Sequence, residues 1–335
     1  MKLVSVIIPC YNEETTIGQL LDALYHQTYP INHMEVVIAD GGSTDNTREE
    51  IRNFHLNHPG LNIAVVDNPK RIIPAALNIA INASNGDYIV RMDAHSIPES
   101  DYIQCSVAGL EAGLGENVGG VWMLKPGTGT WIAKSISLAA APPLGVGDAH
   151  YRLGIKGGVV DTVPFGAFNR ATLVKLGGYD ENLLANEDYE LNTRLRQSGG
   201  RVYLDPNLRS VYYARANLRE LARQYWRYGF WKWRMLLKYP QTIRWRQAIP
   251  PIFVMGIILL ILLSIWLPIT RWLLSGILLF YLGILVLGSA RSARDEKDVR
   301  LLFGIPIAII TMHFSWGGGF LWSGVTSLFT KHKKN

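Results

Sequence analysis

Three long stretches without a charged side chain constrain the last third of this chain. Gln247 to Thr270 runs for 24 residues without Asp, Glu, Lys or Arg, Trp272 to Ala290 for 19, and Leu301 to Thr330 for 30, interrupted only by His313. A bilayer core takes about 20 apolar residues in helix. Buried helices of a soluble core are the alternative, and two long runs in close succession disfavour it. Ile252 to Leu267 is almost wholly aliphatic, and Trp266 supplies an interfacial ring. Three spans are expected, at about 248–267, 272–290 and 302–327. The third carries Pro306 and the run Gly317-Gly318-Gly319, either of which can break a helix.

Charge sets the expected sidedness. Arg291, Arg294, Lys297 and Arg300 place the middle loop on the cytoplasmic side, and the basic residues between Lys232 and Arg246 place the large N-terminal domain there too. Two crossings satisfy both. A third simple crossing puts Lys331, Lys333 and Lys334 outside, and a re-entrant hairpin keeps them inside. Hydrophobic length outweighs three terminal lysines, so three spans are retained. The formal net charge of +6, concentrated after position 190, borders the apolar runs and suits an anionic inner-membrane surface.

Leu218 to Tyr239 interleaves Tyr225, Trp226, Tyr228, Phe230, Trp231 and Trp233 with Arg219, Arg223, Arg227, Lys232, Arg234 and Lys238. Such a helix lies in a membrane interface or binds RNA. The apolar run that follows decides for the membrane, and no nucleic-acid partner is expected. The organisation read from the sequence is a catalytic domain over 1–215, an interfacial region over 216–247 and a membrane domain over 248–330.

The first two thirds alternate apolar runs with helical periodicity. Leu3 to Ile8 is a first strand stopped by Pro9; at six residues it is too short for a signal-peptide core. Met34 to Ala39, Leu61 to Val66 and Tyr88 to Met92 are further strands, separated by helices that include Ile17 to Leu24, Asn46 to Phe54 and Ile73 to Asn82. This alternation predicts an α/β domain with a mostly parallel central sheet. Beyond Asp101 the pattern loosens, with strands expected at Val118 to Met123, Val163 to Asn169, Val202 to Leu204 and Ser210 to Tyr213, and helices at Ala171 to Leu176 and Leu191 to Gln197. Asp148 to Val159, rich in Gly and basic residues, resembles a flexible lid or loop. Cys10 and Cys105 are the only cysteines; they have no metal-type spacing and fit a reducing compartment.

Candidate chemistry gathers where strands end. Asp93 and His95 sit two apart beyond the fourth strand, so an extended backbone turns them the same way. A carboxylate and an imidazole there suit a divalent cation that in turn holds a diphosphate; the bland alternative is a turn-forming Asp beside a backbone-bonded His. Asp40 ends the second strand and leads into Gly41-Gly42-Ser43-Thr44-Asp45, a loop for a base or ribose, or else a tight turn capped by Asp45. Arg71 is placed to approach a phosphate. Asn186-Glu187-Asp188 precedes a helix, where Asp188 is either a general base or a helix N-terminal acid favoured by the dipole. Gln224 and Arg227 lie on the basic aromatic helix, facing a diphosphate or simply anchoring it. No Gly-x-Gly-x-x-Gly follows the first strand and no P-loop occurs, which disfavours dinucleotide oxidoreductases and nucleotide hydrolases.

Pro9-Cys10-Tyr11-Asn12-Glu13, Asp40-Gly41-Gly42-Ser43-Thr44-Asp45, Asp93-Ala94-His95, Asn186-Glu187-Asp188 and Gln224-Tyr225-Trp226-Arg227-Tyr228, in that order and followed by apolar spans, resemble the motifs of the inverting family 2 glycosyltransferases. The Asp-Ala-His form is similar to a bacterial exopolysaccharide subgroup that includes a succinoglycan glucosyltransferase. The resemblance implies a GT-A nucleotide-sugar domain and transfer of a hexose, glucose from UDP-glucose, onto a hydroxyl of a polyprenyl-diphosphate-linked saccharide. It implies that Asp188 is the catalytic base, that Asp93 and His95 hold the metal, and that Pro9, Tyr11, Glu13, Asp40, Asp45, Arg71, Asp93, Gln224 and Arg227 bind the donor. His95 replaces the family's usual second Asp, which favours Mn²⁺ over Mg²⁺. Tyr228 replaces the Trp of the processive members' Gln-x-x-Arg-Trp motif, which weakens a processive reading. The competing functions are a polyprenyl-phosphate sugar transferase, a polysaccharide synthase that would need to oligomerise to form a channel, and an inactive membrane scaffold. The implied location is the cytoplasmic membrane of a bacterium or archaeon, with the catalytic domain on the cytoplasmic side.

Overall fold

The computed structural model of the protein describes residues 1–140, 145, 151 and 157–331. The chain divides into two compact units, Met1–Met123 with His150–Tyr212 and Leu124–Ala149 with Tyr213–Asn335.

The first unit opens with three strand–helix steps and a fourth strand: β1 (Val4–Cys10), α1 (Ile17–Tyr25), β2 (Met34–Asp40), α2 (Thr47–Asn57), β3 (Asn62–Asp67), α3 (Ile73–Ala83) and β4 (Tyr88–Arg91). It continues with β5 (Ser96–Pro98), α4 (Tyr102–Glu111) and β6 (Asn117–Lys125). The next helix, α5 (Trp131–Ala139), belongs to the second unit. Then come β7 (Gly158–Val159), β8 (Ala167–Asn169), α6 (Arg170–Leu176), α7 (Glu187–Gln197) and β9 (Val202–Tyr213).

Among the described residues the strands form one sheet ordered β3-β2-β1-β4-β8-β6-β9-β5, with β7 also paired to β9. The expected parallel pairing holds from β3 to β4, with Val6 opposite Val36 on one side and Val90 on the other. Beyond β4 the pairing changes: β8 runs antiparallel to β4 and β6, and β9 antiparallel to β5 and β7. The sheet is therefore mixed. Alternate residues of β1 feed two cores. Val4, Val6 and Ile8 pack with Ile17, Leu20, Leu21 and Leu24 of α1 and with Tyr102 and Ile103 of α4. Ile7 packs on the other face with Leu77 and Ala80 of α3 and Leu191 of α7. Each fully buried aliphatic side chain contributes about 1.5–3 kcal/mol to holding these layers. Parallel strands with helices on both faces bring Cys10, Asp40, Asp67 and Arg91 to one carboxyl-terminal edge.

Several sequence expectations need correction. α7 begins at Glu187, not Leu191, so Glu187 and Asp188 lie inside its first turn. β9 is one strand across Asp205-Pro206-Asn207; its first half pairs with β7 and its second with β5. α4 and α5 form where no helix was expected. Of the proposed lid, Val159 pairs in β7, and Asp148–His150 and residues 152–156 lie outside the described residues.

Among the described residues the second unit holds α5 and four longer α-helices: α8 (Leu218–Lys238), α9 (Trp245–Leu263), α10 (Pro268–Asp295) and α11 (Leu301–Lys331). Three of them, α9, α10 and α11, are long and apolar enough to cross a membrane. Neither Pro306 nor the glycine run breaks α11. A Cβ on Gly317 would lie 2.7 Å from the Pro250 carbonyl oxygen, and one on Gly319 would strike the Trp226 backbone. The glycines serve close helix packing, as small residues do between membrane helices. The apolar window of α11 is 44% buried, against 17% in α9 and 11% in α10. α11 is thus the most covered of the three: α5 lies along its first half, with Ser135 against Gly304, and α8 along its second, with Trp226 against Gly318 and Trp233 against Gly324.

Candidate active site

Two motifs at the sheet edge interlock. The loop after β1 and the loop after β2 exchange hydrogen bonds: Asn12 N donates to Ser43 Oγ at 2.9 Å, Thr44 N to Asn12 Oδ1 at 2.8 Å, Glu13 N to Thr47 Oγ1 at 2.7 Å and Asn46 N to a Glu14 carboxylate oxygen at 2.9 Å. Asp45 joins both loops, accepting from Thr47 N at 3.1 Å and Glu14 N at 3.2 Å. Asp40 is fully buried and occupied by its own loop: its carboxylate accepts from Gly42 N at 3.1 Å, Ser43 N at 3.1 Å, Ser43 Oγ at 2.5 Å and Arg48 Nε at 2.6 Å. Burial alone would raise its pKa, but Ser43 and Arg48 bring it below the usual carboxylate range. Arg48 also reaches Asp67 at the end of β3. Asp40 and Asp45 therefore shape the cradle.

Tyr11 is exposed, and its ring edge lies 3.2 Å from where a Cβ on Gly41 would stand. Arg71 crosses the same loop, its guanidinium 3.3 Å from the corresponding point on Gly42. Gly42 has φ +74°, a conformation costing other residues about 1–2 kcal/mol. Gly42→Ala is expected to lose about that much stability in thermal unfolding and to displace Arg71. Pro9 sits within β1, opposite Ala39 of β2.

The second constellation gathers three carboxylates around one buried cation. Arg91, at the end of β4, is 4% exposed; its guanidinium donates from one nitrogen to Asp93 Oδ1 at 3.1 Å and Glu187 Oε1 at 3.2 Å, and from the other to Asp188 Oδ1. Residues 93 and 188, far apart in sequence, thus meet on a single side chain. Burial pushes the Asp188 carboxyl up to about 7; Arg91 opposes, while the charges of Glu187 and Asp93 add to the rise. A group poised there suits a general base. Glu190, in the same helical turn, is paired instead with Arg194 at 2.7 Å.

His95 accompanies Asp93, with Nδ1 3.0 Å from Glu13 Oε1. The tautomer that donates from Nδ1 to Glu13 presents Nε2 as the lone-pair nitrogen, the carboxylate–imidazole arrangement that supports a metal ligand. Arg91 takes one oxygen of Asp93. Among the described residues no three His, Cys, Asp or Glu side chains are placed to hold an ion by themselves. One carboxylate and one supported imidazole fit a divalent cation whose remaining ligands come from a bound diphosphate.

Gln224 and Arg227 belong to α8 of the second unit, where Gln224 Nε2 donates to Tyr228 Oη at 3.0 Å. Glu13, Asp93, His95 and Asp188 are brought together through direct contacts with one another or with Arg91, whereas Tyr11, Asp40, Asp45 and Arg71 line the neighbouring cradle. Sequence reasoning missed Arg91 and Glu187. The signal was a cation inside an otherwise apolar strand, which needs buried partners. Asn12 (φ 54°), Arg71 (φ 54°) and Asn186 (φ 65°) all hold left-handed backbone in the loops that carry these side chains, and such strain concentrates at functional sites.

The family model "Glycosyl transferase family 2" matches residues 5–175. The succinoglycan biosynthesis protein ExoA of Rhizobium meliloti (strain 1021) is 32% identical over 321 residues, covering 94% of this chain and 93% of that protein. A Methanococcus voltae protein named dolichyl N-acetyl-alpha-D-glucosaminyl phosphate 3-beta-D-2,3-diacetamido-2,3-dideoxy-beta-D-glucuronosyltransferase is 29% identical over 329 residues, 96% of each chain. In fold the chain is similar to a mannosyltransferase from Pyrobaculum calidifontis solved with GDP-Man and Mn²⁺, with a TM-score of 0.66 and 20% identity over 96% of this chain and 87% of that one. The mixed sheet is the GT-A arrangement, and the chain belongs to glycosyltransferase family 2, an enzyme of glycan assembly with C-terminal helices able to cross a membrane.

Proposed function

We propose that this enzyme transfers a hexose, glucose from UDP-glucose, to a hydroxyl of a polyprenyl-diphosphate-linked saccharide at the cytoplasmic membrane face, with inversion to a β-glycoside. The observation that carries this reading is the convergence of Asp93 and Asp188 on Arg91. The cradle of Tyr11, Asp40, Gly41, Gly42 and Arg71 receives the nucleoside and its phosphates. Asp93 and His95 would hold the cation, which when bound neutralises the diphosphate leaving group. Asp188 takes the proton from the acceptor hydroxyl as its oxygen attacks the anomeric carbon from the face opposite the nucleotide, so one displacement inverts the configuration. Helices α9 to α11, long and apolar enough to cross a membrane, would tether the enzyme to the bilayer that carries a lipid-linked sugar, which lowers the entropic cost of encounter.

Two findings support the acceptor assignment. The Methanococcus voltae relative's name contains a dolichyl-linked sugar phosphate and a 3-beta attachment, which supports a lipid-linked sugar as acceptor. An anionic lipid phosphate would need no base, so the raised Asp188 carboxyl beside Arg91 supports a hydroxyl acceptor.

A screen of UDP-glucose, UDP-galactose, UDP-N-acetylglucosamine and GDP-mannose against defined polyprenyl-diphosphate saccharides, with Mn²⁺ or Mg²⁺, tests this. UDP-glucose with Mn²⁺ is expected to give a β-linked product. Product formation on polyprenyl phosphate alone would refute the acceptor. Because oxygen ligands suit Mg²⁺ better than imidazole does, His95→Asp is expected to narrow the advantage of Mn²⁺ over Mg²⁺ by about tenfold.

A further inference from the structure

We infer that Arg91 is the positioning residue that sets the separation between the donor-side acid Asp93 and the base Asp188; this inference rests on the base assignment above. Arg91 and Asp93 are two apart at the strand end and turn the same way. One guanidinium nitrogen holds Asp93 and Glu187 and the other holds Asp188, so a rigid planar fork spans a strand end and a helix N-terminus. Asn186, which precedes that helix, holds left-handed backbone that leads into its first turn. Arg91 ties that turn to the end of β4 through both Glu187 and Asp188. The remaining first-turn acid, Glu190, has its own partner in Arg194 and does not compete.

Three carboxylates share this cation, leaving an excess of negative charge where a divalent cation and a diphosphate are received. Among the described residues, the groups facing Asp188 are Arg91 from β4, Asp93 just beyond it, Glu187 from α7 and Tyr179 from the preceding loop. Of these only Arg91 is positive. It holds Asp188 in the ionised, oriented state that takes a proton, and ties that orientation to the residue nearest the departing nucleotide. Arg91 acts through the carboxylates it holds, Asp93 and Asp188. A lysine there keeps the charge but cannot bond two acids along two fixed directions.

The test compares Arg91→Lys and Arg91→Met with Asp188→Asn in the full-length protein. It follows UDP release from UDP-glucose in the presence of a polyprenyl-diphosphate saccharide, together with UDP affinity by calorimetry with Mn²⁺ and thermal unfolding. Arg91→Lys is expected to keep UDP affinity within about threefold while kcat falls about a hundredfold. Arg91→Met is expected to move the acidic limb of kcat/KM upward by about one pH unit or more, because the base loses its stabilising cation. A purely structural role predicts losses that follow the folded fraction, with the limb unmoved; that result overturns the inference. If Arg91→Met does not fold, the kcat-against-affinity split in Arg91→Lys decides alone, and equal losses in both refute positioning. Full turnover by Asp188→Asn would remove the base assignment, and the inference with it. An inactive Asp188→Asn beside wild-type-like Arg91 variants would remove the inference only.

Discussion

Replacing Asp188 by Asn is expected to lower kcat for sugar transfer by about 10²–10⁴ while leaving UDP binding within a few-fold of the parent. The amide keeps the volume and one hydrogen-bond acceptor toward Arg91 but cannot take a proton. On the proposed mechanism Asp188 must be ionised to act as the base. Its pKa is raised, so kcat/KM should fall about tenfold per unit as the pH drops through about 7, and level off above it. Steady-state rates between pH 5.5 and 9, with calorimetric UDP titration at the same points, separate loss of the base from loss of donor. Unchanged turnover in Asp188→Asn would favour an acceptor that arrives already anionic. A flat pH profile across 7 would place the proton acceptor elsewhere.

The second large effect lies in the helical unit. A side chain at Gly229 of α8 would meet the Trp316 carbonyl of α11 and stand 3.0 Å from the Phe320 nitrogen. Backbone does not yield as a flexible side-chain tip does, so Gly229→Leu forces the helices apart. Overpacking costs about 1–3 kcal/mol and sometimes more, or about 2–4 °C of Tm per kcal/mol for a chain of moderate size. Gly283 of α10 provides the control, because a Cβ there meets nothing within 4 Å. Gly283→Leu is expected to leave the melting temperature of the detergent-solubilised protein unchanged, and Gly229→Leu to lower it by at least 4 °C. Equal melting temperatures would mean that α8 is not seated on α11.

The parallel half of the fold was legible because β1, β2 and β4 are buried on both faces and read as mostly apolar runs, broken only by Ser5, Glu35 and Arg91, although β1 runs through Pro9 rather than stopping there. The antiparallel half was harder. Asp205-Pro206-Asn207 carries turn chemistry, yet it lies within a strand that changes partner there. α5 was obscured by its short length and by the Gly- and Pro-rich sequence after it, although Thr130, whose hydroxyl caps it by accepting from Ala133 N at 3.2 Å, was in plain view. Within the site, acids at strand ends could be read individually. Their convergence could not, because it depends on Arg91, whose place in a buried strand looks anomalous until its three partners are known. The saturation of Asp40 by its own loop was equally hidden, since hydrogen-bond accounting needs coordinates.

The two-part make-up of the helical unit bears on how the enzyme can be handled. α5, from the middle of the chain, lies beside α11, from its end, with Ile136 and Ala139 in one core with Leu301, Ile305 and Met312. A soluble fragment cut near residue 215 would therefore retain α5 but strip away its covering, leaving an oily patch that invites precipitation. Trimming from the C-terminus strips α8 of its partner first and α5 of this covering next, so the shortest well-behaved version of this enzyme should be one that is never truncated, extracted with its apolar helices in place.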